Sequence, residues 1–79
     1  MGLHELKRAA NMITFELDTP YIELIKLLKA TRVAESGAAA KTLVETGQVY
    51  RDGQPESRKR AKIVKDEVIT VAGKSIRVV

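Results

Sequence analysis

The stretch Ser36-Gly37-Ala38-Ala39-Ala40-Lys41-Thr42-Leu43-Val44-Glu45-Thr46-Gly47-Gln48-Val49-Tyr50-Arg51-Asp52-Gly53 runs from a helix start to a hairpin turn, and its reading decides the fold. Serine is a favoured N-cap because its hydroxyl accepts a bond from an otherwise unpaired N–H of the first helical turn. Ala40, Leu43 and Val44 follow at the i, i+3, i+4 spacing of one helix face. Gly47 supplies a left-handed C-terminal stop. Beyond it, Val49-Tyr50-Arg51 reads as a strand. Asp52-Gly53 reads as a tight turn, since that dipeptide tolerates the positive φ that short hairpins demand.

Toward the N-terminus, Arg32-Val33-Ala34-Glu35 is a short connection to an earlier helix, expected over about Pro20–Thr31. Thr19 is expected to cap that helix and Pro20 to open it, because proline's missing N–H would be unpaired there in any case. Ile22, Leu24, Ile25, Leu27 and Leu28 give it a broad apolar face, with Glu23, Lys26 and Lys29 on the other side. Further back, Ile13, Phe15 and Leu17 alternate with Thr14, Glu16 and Asp18, the period of a half-buried strand. Toward the C-terminus, Arg58–Val64 is expected to be extended and Val68–Val71 to be a strand by its β-branched content. Ala72-Gly73-Lys74-Ser75 then turns the chain into a last strand, Ile76–Val79. This order predicts an α+β domain: an N-terminal strand and a helix-turn-helix pair packed on a small antiparallel sheet. The single domain is expected over residues 13–79. Residues 1–12 are expected to form a mobile N-terminal extension, with Met12 as a natural start.

The 79 residues suit one small domain, and 44% hydrophobic with 30% charged residues is an ordinary globular composition. Without cysteine there is neither a disulfide framework nor a thiolate for zinc. No apolar run approaches the ~20 residues of a membrane span, so the cytoplasm is the expected location. The net charge of +4 is uneven: residues 1–20 carry −1 and residues 21–79 carry +5. A basic balance points toward a polyanion. Catalysis, a metal and a cofactor are not expected. The one histidine, His4, has no partner in sequence, and no Gly-rich phosphate loop, metal-ligand spacing or nucleophile motif is present.

Four cations, Arg58, Lys59, Arg60 and Lys62, fall within five positions. In an extended segment Arg58, Arg60 and Lys62 would share one face, a row suited to phosphates, with Lys59 pointing away. Arginine adds a bidentate fork that lysine lacks. The bland alternative is a solvated edge strand charged against aggregation. The start of the second helix, Ser36-Gly37-Ala38-Ala39, leaves N–H groups that a phosphate could approach, with Lys41 one turn in. Small residues there would equally serve close helix packing. Gln48 and Arg51 flank the entry to the sheet. Lys26, Lys29 and Arg32 are weaker candidates, because a charged outer helix face is usually just solvated. Tyr21 and Tyr50 are candidates for stacking on unpaired bases, with core packing the alternative for at least one.

The quoted stretch, with its serine, small residue, basic residue, apolar pair, Gly-x-Val and Asp-Gly turn, resembles the RNA-binding domain first seen in ribosomal protein S-four, also called the αL motif. Ile63, Asp66, Val68, Ile69 and Val71 fit that domain's closing strand. Glu56-Ser57-Arg58-Lys59-Arg60-Ala61-Lys62-Ile63 resembles a stretch of its small stand-alone bacterial members. The resemblance covers about residues 20–79. It implies a non-catalytic, monomeric protein that binds structured RNA, ribosomal or transfer RNA, by shape and phosphate contacts. It also puts Lys41 at the family's basic position. Tyr21-Ile22-Glu23 stands where many members have Arg-Leu-Asp, Gly37 where many have arginine, and Arg51 where an apolar residue is usual. Two other readings compete. Helix, turn, helix and hairpin is also a winged-helix outline for DNA, although Ala38, Ala39, Lys41 and Thr42 offer little for reading base edges. A basic protein-interaction module within a ribonucleoprotein is the other.

Overall fold

The computed structural model describes residues 12–79; the expected N-terminal extension lies, apart from Met12, outside the described residues. Nine elements follow in order: β1 (Met12–Phe15), β2 (Ile22–Glu23), α1 (Leu24–Ala30), α2 (Gly37–Glu45), β3 (Val49–Arg51), β4 (Gln54–Pro55), β5 (Lys62–Ile63), β6 (Val68–Val71) and β7 (Lys74–Val78). Five strands form one sheet in the order β1-β7-β6-β3-β4, and β2 with β5 forms a separate two-stranded ribbon. The larger sheet is antiparallel except at one edge, where β1 runs parallel to β7, so the sheet is mixed.

The second helix begins and ends where its signals put it. Ser36 Oγ accepts from Ala39 N at 3.1 Å, and Gly47 lies beyond the helix at φ +76°. Both hairpins have two-residue turns with positive φ at each position: Asp52 (49°) with Gly53 (84°), and Ala72 (53°) with Gly73 (76°). That geometry matches the right-handed twist of the flanking strands.

The first helix corrects the expected start. Pro20 does not open it; the helix begins at Leu24, and Thr19 Oγ1 donates to the Tyr21 carbonyl at 2.8 Å instead of capping. Ile22 and Glu23 are extended and pair with Ile63 and Lys62. The expected strand over Arg58–Val64 shrinks to Lys62–Ile63, because the chain turns at 59–60 with Ala61 N donating to Arg58 O at 3.1 Å.

Leu24, Leu27 and Leu28 of α1 and Ala40 and Val44 of α2 pack with Val49, Ile69, Val71, Ile76 and Val78 from one face of the sheet. Ile63 closes this core from the ribbon side and is fully buried. Burying a side chain of this size contributes about 1.5–3 kcal/mol, so the core holds the ribbon in place against the sheet.

Candidate nucleic-acid interface

The cation-rich segment is held by its backbone. Leu24 N donates to Ala61 O at 2.9 Å and Ile25 N to Lys59 O at 3.1 Å. These are first-turn N–H groups of α1, which have no partner inside their own helix. The carbonyls of 59 and 61 satisfy them, and the side chains between are turned outward. Arg58, Lys59, Arg60 and Lys62 are all exposed.

A second anchor is acidic. Glu56 is 8% exposed, the one buried charged residue among the described residues. Its Oε2 accepts from Arg58 N and Arg58 Nε, both at 3.1 Å, and its Oε1 accepts from Arg51 Nη1 at 3.3 Å. The hydrogen bond from the Arg58 side chain, opposed by burial and aided by the Arg58 backbone N–H and by Arg51, holds Glu56 below the usual carboxylate range. The same pairing raises Arg58.

Arg51 points from the buried side of β3 into the gap between sheet and ribbon. It donates through Nε to Glu67 Oε2 (2.8 Å), through Nη2 to Glu67 Oε1 (2.9 Å) and to Lys62 O (2.8 Å), and through Nη1 to Glu56. Of the five donors a guanidinium has, one on Nη1 is left over. Glu67 is pushed up by burial, but the Arg51 hydrogen bond, the Val64 N–H and the Arg51 charge outweigh this and leave it lowered. Arg51 is raised, first by its bond to Glu67.

Arg51, Arg58, Arg60, Ala61 and Lys62 together line an open hollow of about 540 Å³. The expected common face of Arg58, Arg60 and Lys62 therefore exists, made by a turn clamped on Glu56 rather than by strand alternation. Arg60 also lies 3.8 Å from Glu23, with its side chain 76% exposed.

The helix-side candidates lie apart from this hollow. Ser36 caps α2, and Lys41 stands 4.0 Å from Glu45 on the exposed face. Gln48 is exposed and donates to Thr46 Oγ1 at 2.8 Å. Lys29 passes the start of α2, its Cδ 4.0 Å from where a Gly37 Cβ would sit. Arg32 is exposed in a left-handed turn at φ 62°, and Lys26 pairs with Glu23 at 4.0 Å. The two groups are joined by α1: its first turn is bonded to residues 59 and 61, and its last carries Lys29 beside α2. At 1.5 Å per residue, Leu24 and Lys29 are about 7.5 Å apart along the helix.

Sequence reasoning missed Glu56 and Glu67 as organising groups. The signal for Glu56 was present, a lone acid two residues before a run of cations. Glu67 reaches Arg51 across 16 positions, and nothing local announces it.

This helix pair, sheet and cation-lined turn define the class. The chain belongs to the S4 domain family, whose sequence model matches residues 15–79. It is similar to YbcJ of Escherichia coli (strain K12) and of Shigella flexneri, each 48% identical over 69 residues that span 86% of this chain and 99% of the relative. The solution structure of the E. coli protein, described as revealing an αL motif involved in RNA binding, superposes with a TM-score of 0.70. The match covers 87% of this chain and 89% of that one.

Proposed function

We propose that this chain is a non-catalytic RNA-binding protein that grips structured RNA, ribosomal or transfer RNA, in the cytoplasm by shape and phosphate contacts. The observation that carries the reading is the hollow lined by Arg51, Arg58, Arg60 and Lys62, in a chain 48% identical to a relative with a described RNA-binding motif. Arg58, Arg60, Lys62 and the neighbouring Lys59 are the phosphate contacts. Neutralising phosphates releases condensed counterions, which gives such contacts their affinity and their salt dependence. Arg51 is a positioning residue with one donor to spare. Lys26, Lys29, Arg32, Ser36, Lys41 and Gln48 extend the contact along the helix pair.

The exposed face of α2 speaks for shape over sequence. It presents Ala38, Lys41, Thr42 and Glu45, and Thr42 Oγ1 is turned back to the Ala38 carbonyl at 3.0 Å. Nothing in that set makes the bidentate base-edge contacts of a DNA recognition helix.

The test is fluorescence-anisotropy binding to a structured ribosomal RNA fragment, with a DNA duplex of equal length as competitor. The reading expects RNA to be held in the presence of excess duplex. Equal displacement by DNA would overturn it in favour of unspecific polyanion binding. No binding to either would favour a protein partner.

A further inference from the structure

We infer that the outer face of the β2–β5 ribbon is a subsite for one unpaired nucleotide of the bound RNA, with Tyr21 as its stacking platform. The inference rests on the RNA-binding reading and goes beyond phosphate contact. Pairing of Ile22 with Ile63 and of Glu23 with Lys62 turns Ile22 and Ile63 toward the core. Side chains alternate along a strand, so Glu23 and Lys62 share the opposite face. Continuing the register puts Tyr21 opposite Val64 on that face. Tyr21 is 41% exposed and Val64 40%, an apolar pair left open beside a basic hollow.

The surroundings supply what a nucleotide needs. Lys62 Nζ lies 5.0 Å from the Tyr21 ring centroid, so the ring is held by a cation that also lines the arginine hollow. Tyr21 itself lines a second hollow of about 430 Å³ with Thr19, Pro20, Ile22, Glu23 and Lys26. The two depressions therefore meet at the Tyr21–Lys62 pair, one cation-lined and one with an aromatic wall. Lys26 and Arg60 both approach Glu23, their contacts with Oε1 at 4.0 and 3.8 Å lying beyond hydrogen-bond distance. A carboxylate so placed accepts N–H groups from a base edge. Guanine, with adjacent ring N–H and amino donors, fits it best. Proteins that read RNA sequence do so on unstacked bases, by stacking them on aromatic rings and bonding their edges.

The probes are three RNA hairpins with one stem: fully paired, with a single bulged guanosine, and with a single bulged uridine. Anisotropy is read at one salt concentration for wild type, Tyr21→Ala, Tyr21→Phe and Glu23→Gln, each checked by circular dichroism. The expected result is wild-type binding roughly tenfold tighter to the bulged-guanosine stem than to the paired one, in line with base–aromatic stacking. Tyr21→Ala removes that preference while holding the paired stem as wild type does, Tyr21→Phe keeps it, and Glu23→Gln brings guanosine down to uridine. Equal wild-type affinity for bulged and paired stems overturns the subsite and leaves phosphate recognition standing, as does an unaltered preference in Tyr21→Ala. Failure to bind any hairpin overturns both.

Discussion

Arg51 and Glu67, sixteen positions apart, face one another as a two-pronged ion pair, with Nε 2.8 Å from Oε2 and Nη2 2.9 Å from Oε1. The Arg51 side chain is 23% exposed and that of Glu67 16%, so the pair is shielded from water on most sides. Through it β3 is tied to the segment before β6, and two further Arg51 donors reach Glu56 and the Lys62 carbonyl.

Removing the guanidinium leaves two carboxylates without their shared cation in a half-closed site. Arg51→Met, which keeps the apolar stem, is expected to cost about 2–3 kcal/mol, below the range for a fully buried pair because some solvent screening remains. Urea denaturation checks this. Affinity for RNA at a temperature where the variant is fully folded should fall by less than in Arg60→Ala.

The same network sets the acid limit of stability. Glu56 and Glu67 are both lowered from the usual 4.5. A carboxylate depressed on folding stabilises the fold above its unfolded value, and that stabilisation is lost as pH falls through the folded value. The urea midpoint is therefore expected to be level from neutral pH down to about pH 5 and to drop below it. A Glu56→Gln, Glu67→Gln double variant should start lower at neutral pH and fall less on acidification. A wild-type midpoint unchanged down to the acid limit would count against the network.

Ala72 offers the opposite change. It sits at φ 53° in an exposed two-residue turn, a conformation costly for alanine and easy for asparagine. Ala72→Asn is expected to raise stability by about 0.5–1 kcal/mol, measured as a higher urea midpoint at unchanged slope.

Ser36 separates structure from contact. Ser36→Ala removes the acceptor for Ala39 N–H and is expected to cost about 1 kcal/mol. Ser36→Asp keeps an acceptor and stays within about 0.5 kcal/mol of wild type, yet adds a negative charge at the helix start that Lys29 passes. If RNA approaches the start of α2, its affinity in Ser36→Asp drops severalfold, well beyond the smaller loss expected in Ser36→Ala, kept folded.

What the sequence made legible was local. Ser36, Gly47, Asp52-Gly53 and the β-branched run Val68–Val71 act through bonds or dihedrals within a few residues of themselves, and each did what its chemistry dictates. What it concealed was tertiary. Thr19-Pro20 is a sound helix opening in isolation, but Ile22 and Glu23 gain a ladder with Ile63 and Lys62, forty residues on. The helix then starts only at Leu24, capped by carbonyls of that distant segment. The run Arg58–Lys62 showed its charge plainly. Its shape, a turn folded onto Glu56, depends on Arg51 and on a buried carboxylate whose importance no periodicity marks. The cations of the candidate site were thus readable; of the acids that aim them, Glu56 carried a local signal and Glu67 carried none.

The claim at the centre is that RNA meets the turn of residues 58–62 and the neighbouring helix pair, so the most direct measurement maps contact. Backbone amide resonances of the isotope-labelled protein would be followed during titration with the structured ribosomal RNA fragment. The largest shifts are expected at residues 58–62, with smaller ones at Lys26, Lys29 and the start of α2. Thr14, Thr70 and Arg77, exposed on the strands of the far sheet face, should hardly move. Shifts centred on Thr14, Thr70 and Arg77, with 58–62 unchanged, would contradict it and move the RNA site to the outer sheet.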